Sequence, residues 1–533
     1  MAYDTTGRRA RHETGVSILF VAIADDSRRN SRDPQAIPRD TRDPQAIPRD
    51  TRDPQTVSRD TRDACPGALQ THAAADGELA RVRVPGGALS VAQLRALADA
   101  ASDLGGGVIE LTSRANVQVR ALRDAAAFAV RMGEAGLLPS ATHERVRNIV
   151  ASPLAGRART SVADIRPLVG QLDRALCARP ELASLPGRFL FALDDGTGDM
   201  LALEADVTLA ARADGFVLLL AGVPVRALPR PAAATLAAAA AALPEAAAVV
   251  ALAAAADLAP PAAALAASPH AAAAAALAAA DAAAADTVGV ALAAAEVFVA
   301  KRGGAWRIAE LPDGAQRIAA HLPGSGAPEV PQFGDPPRGV IPQRDGRVAL
   351  EVVVPLGRLT SAQARVLADV AVGEVRLTPW RTVVLPDLGS TEDLEAVLGA
   401  HGLITDPASP HARLSACVGR PGCAKSHADV QADAMRWAET VVIPEGTRVH
   451  WSGCERRCGR PKDRVAGGVT GGVSGGVSDG VTGGVTGGVS GGVTGGVHDI
   501  VATPTGYVVA TPTGYTGYTG YVAATSAGYE GAP

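Results

Sequence analysis

Cys417 and Cys423 stand with five residues between them, and Cys454 and Cys458 follow with three between. Thiolates are soft ligands that suit iron-sulfur clusters, and two loops that each supply two can hold the four irons of a cubane. Structural zinc usually takes cysteine pairs about two to four residues apart, and the first pair is wider. A cluster therefore fits better than zinc. The first pair encloses Val418-Gly-Arg-Pro-Gly422, and the second lies in Trp451-Ser-Gly-Cys-Glu-Arg-Arg-Cys-Gly-Arg-Pro461. Glycine and proline let a loop fold tightly around an inorganic core, with backbone N–H groups left to bond its sulfurs. Unrelated thiols or two disulfides fit less well, because only Cys65 and Cys177 lie elsewhere in the chain. The chemistry predicted is electron handling.

The elements that must carry these loops are duplicated. Arg81 to Ser90, a helical stretch from Val91 to Ala101 and Gly107 to Arg114 form one unit; Glu351 to Thr360, Ser361 to Val370 and Gly373 to Arg381 form another. Each reads strand, helix, strand: β-branched residues alternate before a proline, and Ser90 and Thr360 are the predicted helix N-caps. A longer α+β segment follows each unit. The chain thus reads as two copies of a two-part module, and the seam between copies is a natural place for one large ligand.

A chain of 533 residues with a net charge of -4 has room for several cores and points to no polyanionic partner, so neither nucleic acid nor a membrane is expected. Sparse cysteine usage suits a reducing compartment, which favours the cytoplasm. Arg8 and Arg9 before the apolar run Val16 to Ala24 form only a weak export signal. A ten-residue unit beginning at Asp33 recurs at Asp43 and Asp53, a Gly-Gly-Val-Thr/Ser unit repeats from Gly467, and Thr-Gly-Tyr recurs after Thr503. These stretches cannot bury a core and are expected to be disordered or flexible. Leu201 to Leu220 alternates like strands, whereas the alanine-dominated Ala232 to Ala300 is expected to form surface helices.

The cysteine pattern, the duplicated units and Leu111-Thr-Ser-Arg-Ala-Asn-Val-Gln118 together resemble the sirohaem-dependent nitrite and sulfite reductase superfamily. Within it, the lack of Pro-Asn after Cys454 and the Cys65-Pro-Gly67 segment are most similar to the precorrin-3B synthase branch. The resemblance covers residues 64 to 460, with a last strand at His498 to Val509. It implies an α+β fold: a tail over 1–63, ferredoxin-like half-domains over 64–142 and 326–404, and reductase-like α+β domains over 143–325 and 405–510. The second of these domains carries a glycine-rich insertion at 467–497, and a tail follows at 511–533.

The resemblance also implies a [4Fe-4S] cluster on Cys417, Cys423, Cys454 and Cys458, beside a tetrapyrrole between the modules, with Cys65 structural. It carries substrate-binding roles to Arg114, Asn116 and Gln118, expected on one strand face, to Arg147 and Asn148, and to Arg188. Where reductases have a second basic residue in the last segment, this chain has Leu190. Losing a cation weakens a cage built to reduce a small anion, while arginine forks still suit the carboxylates of a macrocycle.

The activity implied is conversion of precorrin-3A and dioxygen to precorrin-3B, by hydroxylation and γ-lactone closure. Electrons would derive from NADH through a donor protein, because no nucleotide-binding glycine fingerprint follows a strand. A mononuclear non-haem iron is implied as well, although His143, His427 and His450 form no legible ligand set. The alternative is a sirohaem sulfite or nitrite reductase.

Overall fold

The computed structural model describes residues 63, 65–229, 286–324, 329, 332–443, 447–461, 497–504 and 506–510. The expectations for the N-terminal segment, most of the alanine-rich stretch, the glycine run and the C-terminal tail fall outside these residues.

The duplication is real, but the two half-domains interlock. One sheet has the order His72–Ala74, Gly77–Val82, Val117–Leu122, Val108–Leu111, Arg358–Thr360. Its counterpart runs Val340–Pro342, Val348–Val353, Thr382–Leu388, Glu374–Leu377, Ala88–Ser90. Each half therefore lends its short strand to the other's sheet, with Leu359 opposite Ile109 and Leu89 opposite Val375. The lent strands leave turns where Gly86 and Leu356 take φ 63° and 54°. At the next residue a side chain would collide, since a Cβ on Gly87 would lie 2.1 Å from the Leu377 carbonyl oxygen.

The lent strands feed helices Val91–Leu104 and Ser361–Val370. Ser90 and Thr360 cap them as predicted, each in a reciprocal capping box with Gln93 or Gln363. The helices face each other across a pseudo-dyad marked by two equivalent ion pairs, Arg95–Asp369 and Arg365–Asp99. Both pairs are exposed and record the symmetry more than they stabilise it. One core unites the halves, running from Leu94, Leu97 and Ile109 to Leu359, Leu367 and Val375.

The remaining segments form two further sheets of matching design. Ile149–Ala151, Phe191–Asp194 and Val207–Arg212 run parallel, and Gly215–Leu220 and Val223–Pro229 turn back antiparallel. The other has Leu414–Ala416, Arg448–Ser452 and Val497–Thr503 parallel, then Gly506–Ala510 antiparallel. The last strand predicted at 498–509 is thus a hairpin. The helical residues 286–301 are not superficial as expected: Ala291, Leu292, Ala294, Ala295 and Phe298 are buried, and Phe298 packs 5.0 Å from Phe189. Alanine there permits close approach to the sheet. Among the described residues, no helix is long and apolar enough to cross a membrane.

Candidate functional site

Both cysteine loops leave the C-terminal ends of adjacent parallel strands, where α/β sheets commonly build sites. Cys417 directly follows Leu414–Ala416, and Cys454 lies two residues beyond Arg448–Ser452. The Cys417 N–H donates to the Trp451 carbonyl, and the Gly453 N–H donates to Cys417 Sγ at 3.1 Å. Gly453 has to be glycine, because a Cβ would lie 2.0 Å from Ser426 Oγ. The first half-domain steadies this edge: Arg120 grips Asp76 and donates to the Gly422 carbonyl at 2.8 Å. Burial pushes the Cys417 thiol up, opposed by the Gly453 and Gly419 N–H groups, while Cys458 and Cys454 are close enough to be felt electrostatically.

Two thiol-bearing loops meeting at one edge, with an N–H already aimed at sulfur, fit a four-iron cluster. Among the described residues no three His, Cys, Asp or Glu side chains converge as ligands of a single metal ion. A cubane takes each thiolate on a different iron, and so holds its sulfurs farther apart than one ion does. The convergence therefore gives no support to zinc or to a legible non-haem iron site. Of the histidines near the motifs, the His143 ring bonds Ser140, Thr142 and the Arg179 carbonyl, and His427 is exposed. His450 is fully buried, and desolvation, with Arg381 nearby, pushes its pKa down to about 4. Its Nε2 lies 3.2 Å from the Cys458 carbonyl and must donate to it, so Nδ1 accepts from Ser415 Oγ at 2.9 Å.

Beside these loops lies a cavity of about 330 Å³, bordered by both half-domains and by Gly459, Arg460 and Pro461, directly after Cys458. Among the described residues, seven arginines line it, namely 114, 307, 338, 381, 413, 448 and 460, and no carboxylate does. Arg307, Arg338 and Arg460 are paired from behind by Asp206, Glu351 and Asp499. Arg114, Arg381 and Arg413 donate to the carbonyls of Gly187, Gly459, and Ala408 and Ile443, without a carboxylate partner among the described residues. Burial, with Arg307 adding repulsion, pushes Arg114 down to about 10. An uncompensated cluster of this kind favours an anionic ligand. Trp380 adds an aromatic surface and His411 a ring whose charged form burial disfavours.

Of the six residues expected to bind substrate, only Arg114 borders the cavity, and it sits in a turn, not on a strand face with Asn116 and Gln118. Asn116 is buried, accepting from the Val84 N–H and donating to Asn148. Gln118 links Arg81 to Glu110. Arg147 holds Asp173 with two bonds of 2.7 Å and donates to the Leu137 carbonyl, which uses up its fork. Asn148 ties Arg145 to Gly187, and Arg188 is exposed, stacked 4.4 Å over the Trp306 ring. None of these five is among the residues that line the cavity. Leu190, in contrast, does line it. Sequence reasoning missed six cavity arginines. Arg381 and Arg460 lay within motifs already quoted, whereas Arg307, Arg338, Arg413 and Arg448 come from separate segments and share no spacing.

Comparison with known proteins agrees with this layout. The nitrite/sulfite reductase ferredoxin-like half domain matches twice, at residues 72–131 and 341–400. The chain is 28% identical over 412 residues to ferredoxin–nitrite reductase of Synechococcus elongatus, covering 72% of this chain and 74% of that one. It is 28% identical over 407 residues to precorrin-3B synthase of a Sinorhizobium species, covering 72% and 76%. A match of 34% to the chloroplastic ferredoxin–nitrite reductase of Zea mays spans only 24% of that enzyme and 23% of this chain. In fold it is similar to Mycobacterium tuberculosis NirA, with a TM-score of 0.52 at 20% identity over 72% of this chain and 69% of the other.

Proposed function

Because this chain belongs to the nitrite/sulfite reductase superfamily, whose relatives are oxidoreductases, we propose that it acts on a polycarboxylate tetrapyrrole as a precorrin-3B synthase. In this reading, precorrin-3A and dioxygen give precorrin-3B by hydroxylation and lactone closure. The observation that carries it is the lining of the cavity. Leu190 and Trp380 lie among seven arginines, while Arg147 and Arg188, which a small-anion reductase would aim at its substrate, are engaged elsewhere. The cavity is at the small end of ligand sites, so the macrocycle would enter by an acidic edge. There Arg114, Arg381 and Arg413 would take carboxylates in bidentate pairs and Trp380 would flank the flat ring. Leu190 would keep water from one face. When bound on Cys417, Cys423, Cys454 and Cys458, a [4Fe-4S] cluster would supply single electrons. NADH, through a donor protein, would be their origin, and a non-haem iron would serve oxygen activation.

The test is incubation with precorrin-3A, reductant and isotope-labelled dioxygen, followed by mass spectrometry of the tetrapyrrole. Incorporation of label is expected; an unlabelled macrocycle rejects the synthase reading. The second reading, a sirohaem nitrite or sulfite reductase, has the relative of similar coverage from Synechococcus elongatus in its favour. It predicts strong Soret and red bands in the purified protein, which a protein holding only the cluster lacks.

A further inference from the structure

The two turns that enter the cavity are copies that have diverged. In the first, Thr112 closes Ser113-Arg114-Ala115 by receiving the Ala115 N–H on its carbonyl and the Asn116 N–H on its hydroxyl. In the second, Thr378 does the same for Arg381 and Thr382. The left-handed position, Ala115 at φ 53° in one copy, is Arg381 at φ 63° in the other. Left-handed backbone at residues other than glycine persists where the surroundings over-determine it, and such positions cluster at ligand clamps and active sites.

The side chain's course points to its role. Arg381 runs past Gly357, where a Cβ would stand 2.9 Å from both its Cβ and its Cδ, and its Nη2 donates to the Gly459 carbonyl at 3.2 Å. Gly459 follows Cys458, whose carbonyl is held by His450. The same guanidinium lines the cavity and has no carboxylate partner among the described residues. One positive charge that no carboxylate of the described residues contacts directly, with Glu110 acting on it only at longer range, thus stands in the wall shared by the ligand cavity and the cysteine loop.

We propose that Arg381 couples occupancy of the cavity to the electron affinity of the cluster; this rests on the cluster and polycarboxylate readings above. Net charge and hydrogen bonds near a cluster tune its reduction potential. With the cavity empty, the Arg381 charge favours the reduced, more negative state. A ligand carboxylate that pairs with Arg381 cancels this bias and lowers the potential. Linkage requires the reciprocal effect: the polycarboxylate binds more tightly to oxidised than to reduced protein.

The experiment is an anaerobic redox titration of the cluster-loaded protein, followed by electron paramagnetic resonance, with and without uroporphyrin as a polycarboxylate probe. In the native protein, uroporphyrin is expected to lower the midpoint potential. Arg381→Gln should start lower and lose most of that shift, and Arg381→Lys should keep it. Arg114→Gln, whose parent side chain bonds Gly187 and not the cysteine loop, should weaken probe binding yet preserve the shift at saturation. Equal potentials in the native protein and Arg381→Gln, with and without probe, overturn the coupling. Should Arg381→Gln fail to assemble, the native protein still decides, because equal probe affinity in both redox states refutes the proposal. A native protein with no cluster signal sinks the cluster reading itself, which the potential measurements distinguish from failed coupling.

Discussion

At the residue scale, a charged side chain serves as ligand clamp or strut according to what already surrounds it. Arg147 and Arg114 are both arginines in segments marked by resemblance, yet the first is 4% exposed and fully engaged with Asp173 and Leu137, while the second faces the cavity. Removing one partner of a buried pair leaves the other uncompensated. Arg147→Ala is therefore expected to cost about 3 kcal/mol of stability, the lower part of the range for such losses because Asp173 keeps some solvent contact. Tetrapyrrole affinity per folded molecule should stay within about twofold, a loss well under 1.4 kcal/mol. Denaturant titration beside a binding isotherm separates the two, and a large affinity loss at unchanged stability would return Arg147 to the ligand.

At the scale of elements, the two reductase-like sheets are copies whose strand ends carry different chemistry. The Asp195 N–H donates to Ser152 Oγ at 3.1 Å, just as the Gly453 N–H donates to Cys417 Sγ. Where one copy has thiols, the other has Ser152 bonded to Asp199 at 2.6 Å. Burial pushes the Asp194 carboxyl up, opposed by the N–H groups of Met200, Gly198 and Gly196, while burial and the Asp194 carboxylate push Asp199 well above the usual carboxylate range. A carboxyl whose folded pKa is raised takes up a proton on folding. Its stabilisation is complete below its unfolded value near 3.8 and is lost as pH rises through the folded value. Asp199→Asn, which mimics the protonated acid, should raise the melting temperature at pH 8 relative to the native protein and change it little at acid pH. Calorimetry across pH checks this, and a parallel offset at every pH would contradict it.

At the scale of the molecule, the exchanged strands make the half-domains mutually dependent. Each sheet takes its last strand from the other copy, and the apolar core spans both. An isolated half would expose an unpaired sheet edge and the inner face of its helix. Residues 63–324 and 332–510 produced separately are expected to give no cooperative thermal transition, whereas co-expression should restore one. Independent cooperative folding of either part would show that the exchange contributes little.

Local features were legible in the sequence because they depend on neighbours in the chain. The capping boxes at Ser90 and Thr360, the duplicated strand-helix-strand units and the paired cysteine loops follow from spacing of a few residues. Arginine roles were not legible: whether Arg147, Arg188 or Arg381 meets a ligand depends on Asp173, Trp306 and Gly459, which lie far off in sequence. Burial of the alanine-rich helix and the strand exchange were equally hidden, since alanine carries no periodic signal and a lent strand looks like a retained one. Residue type and spacing set which chemistry was available. Long-range packing decided which charges were neutralised and which were left facing the cavity.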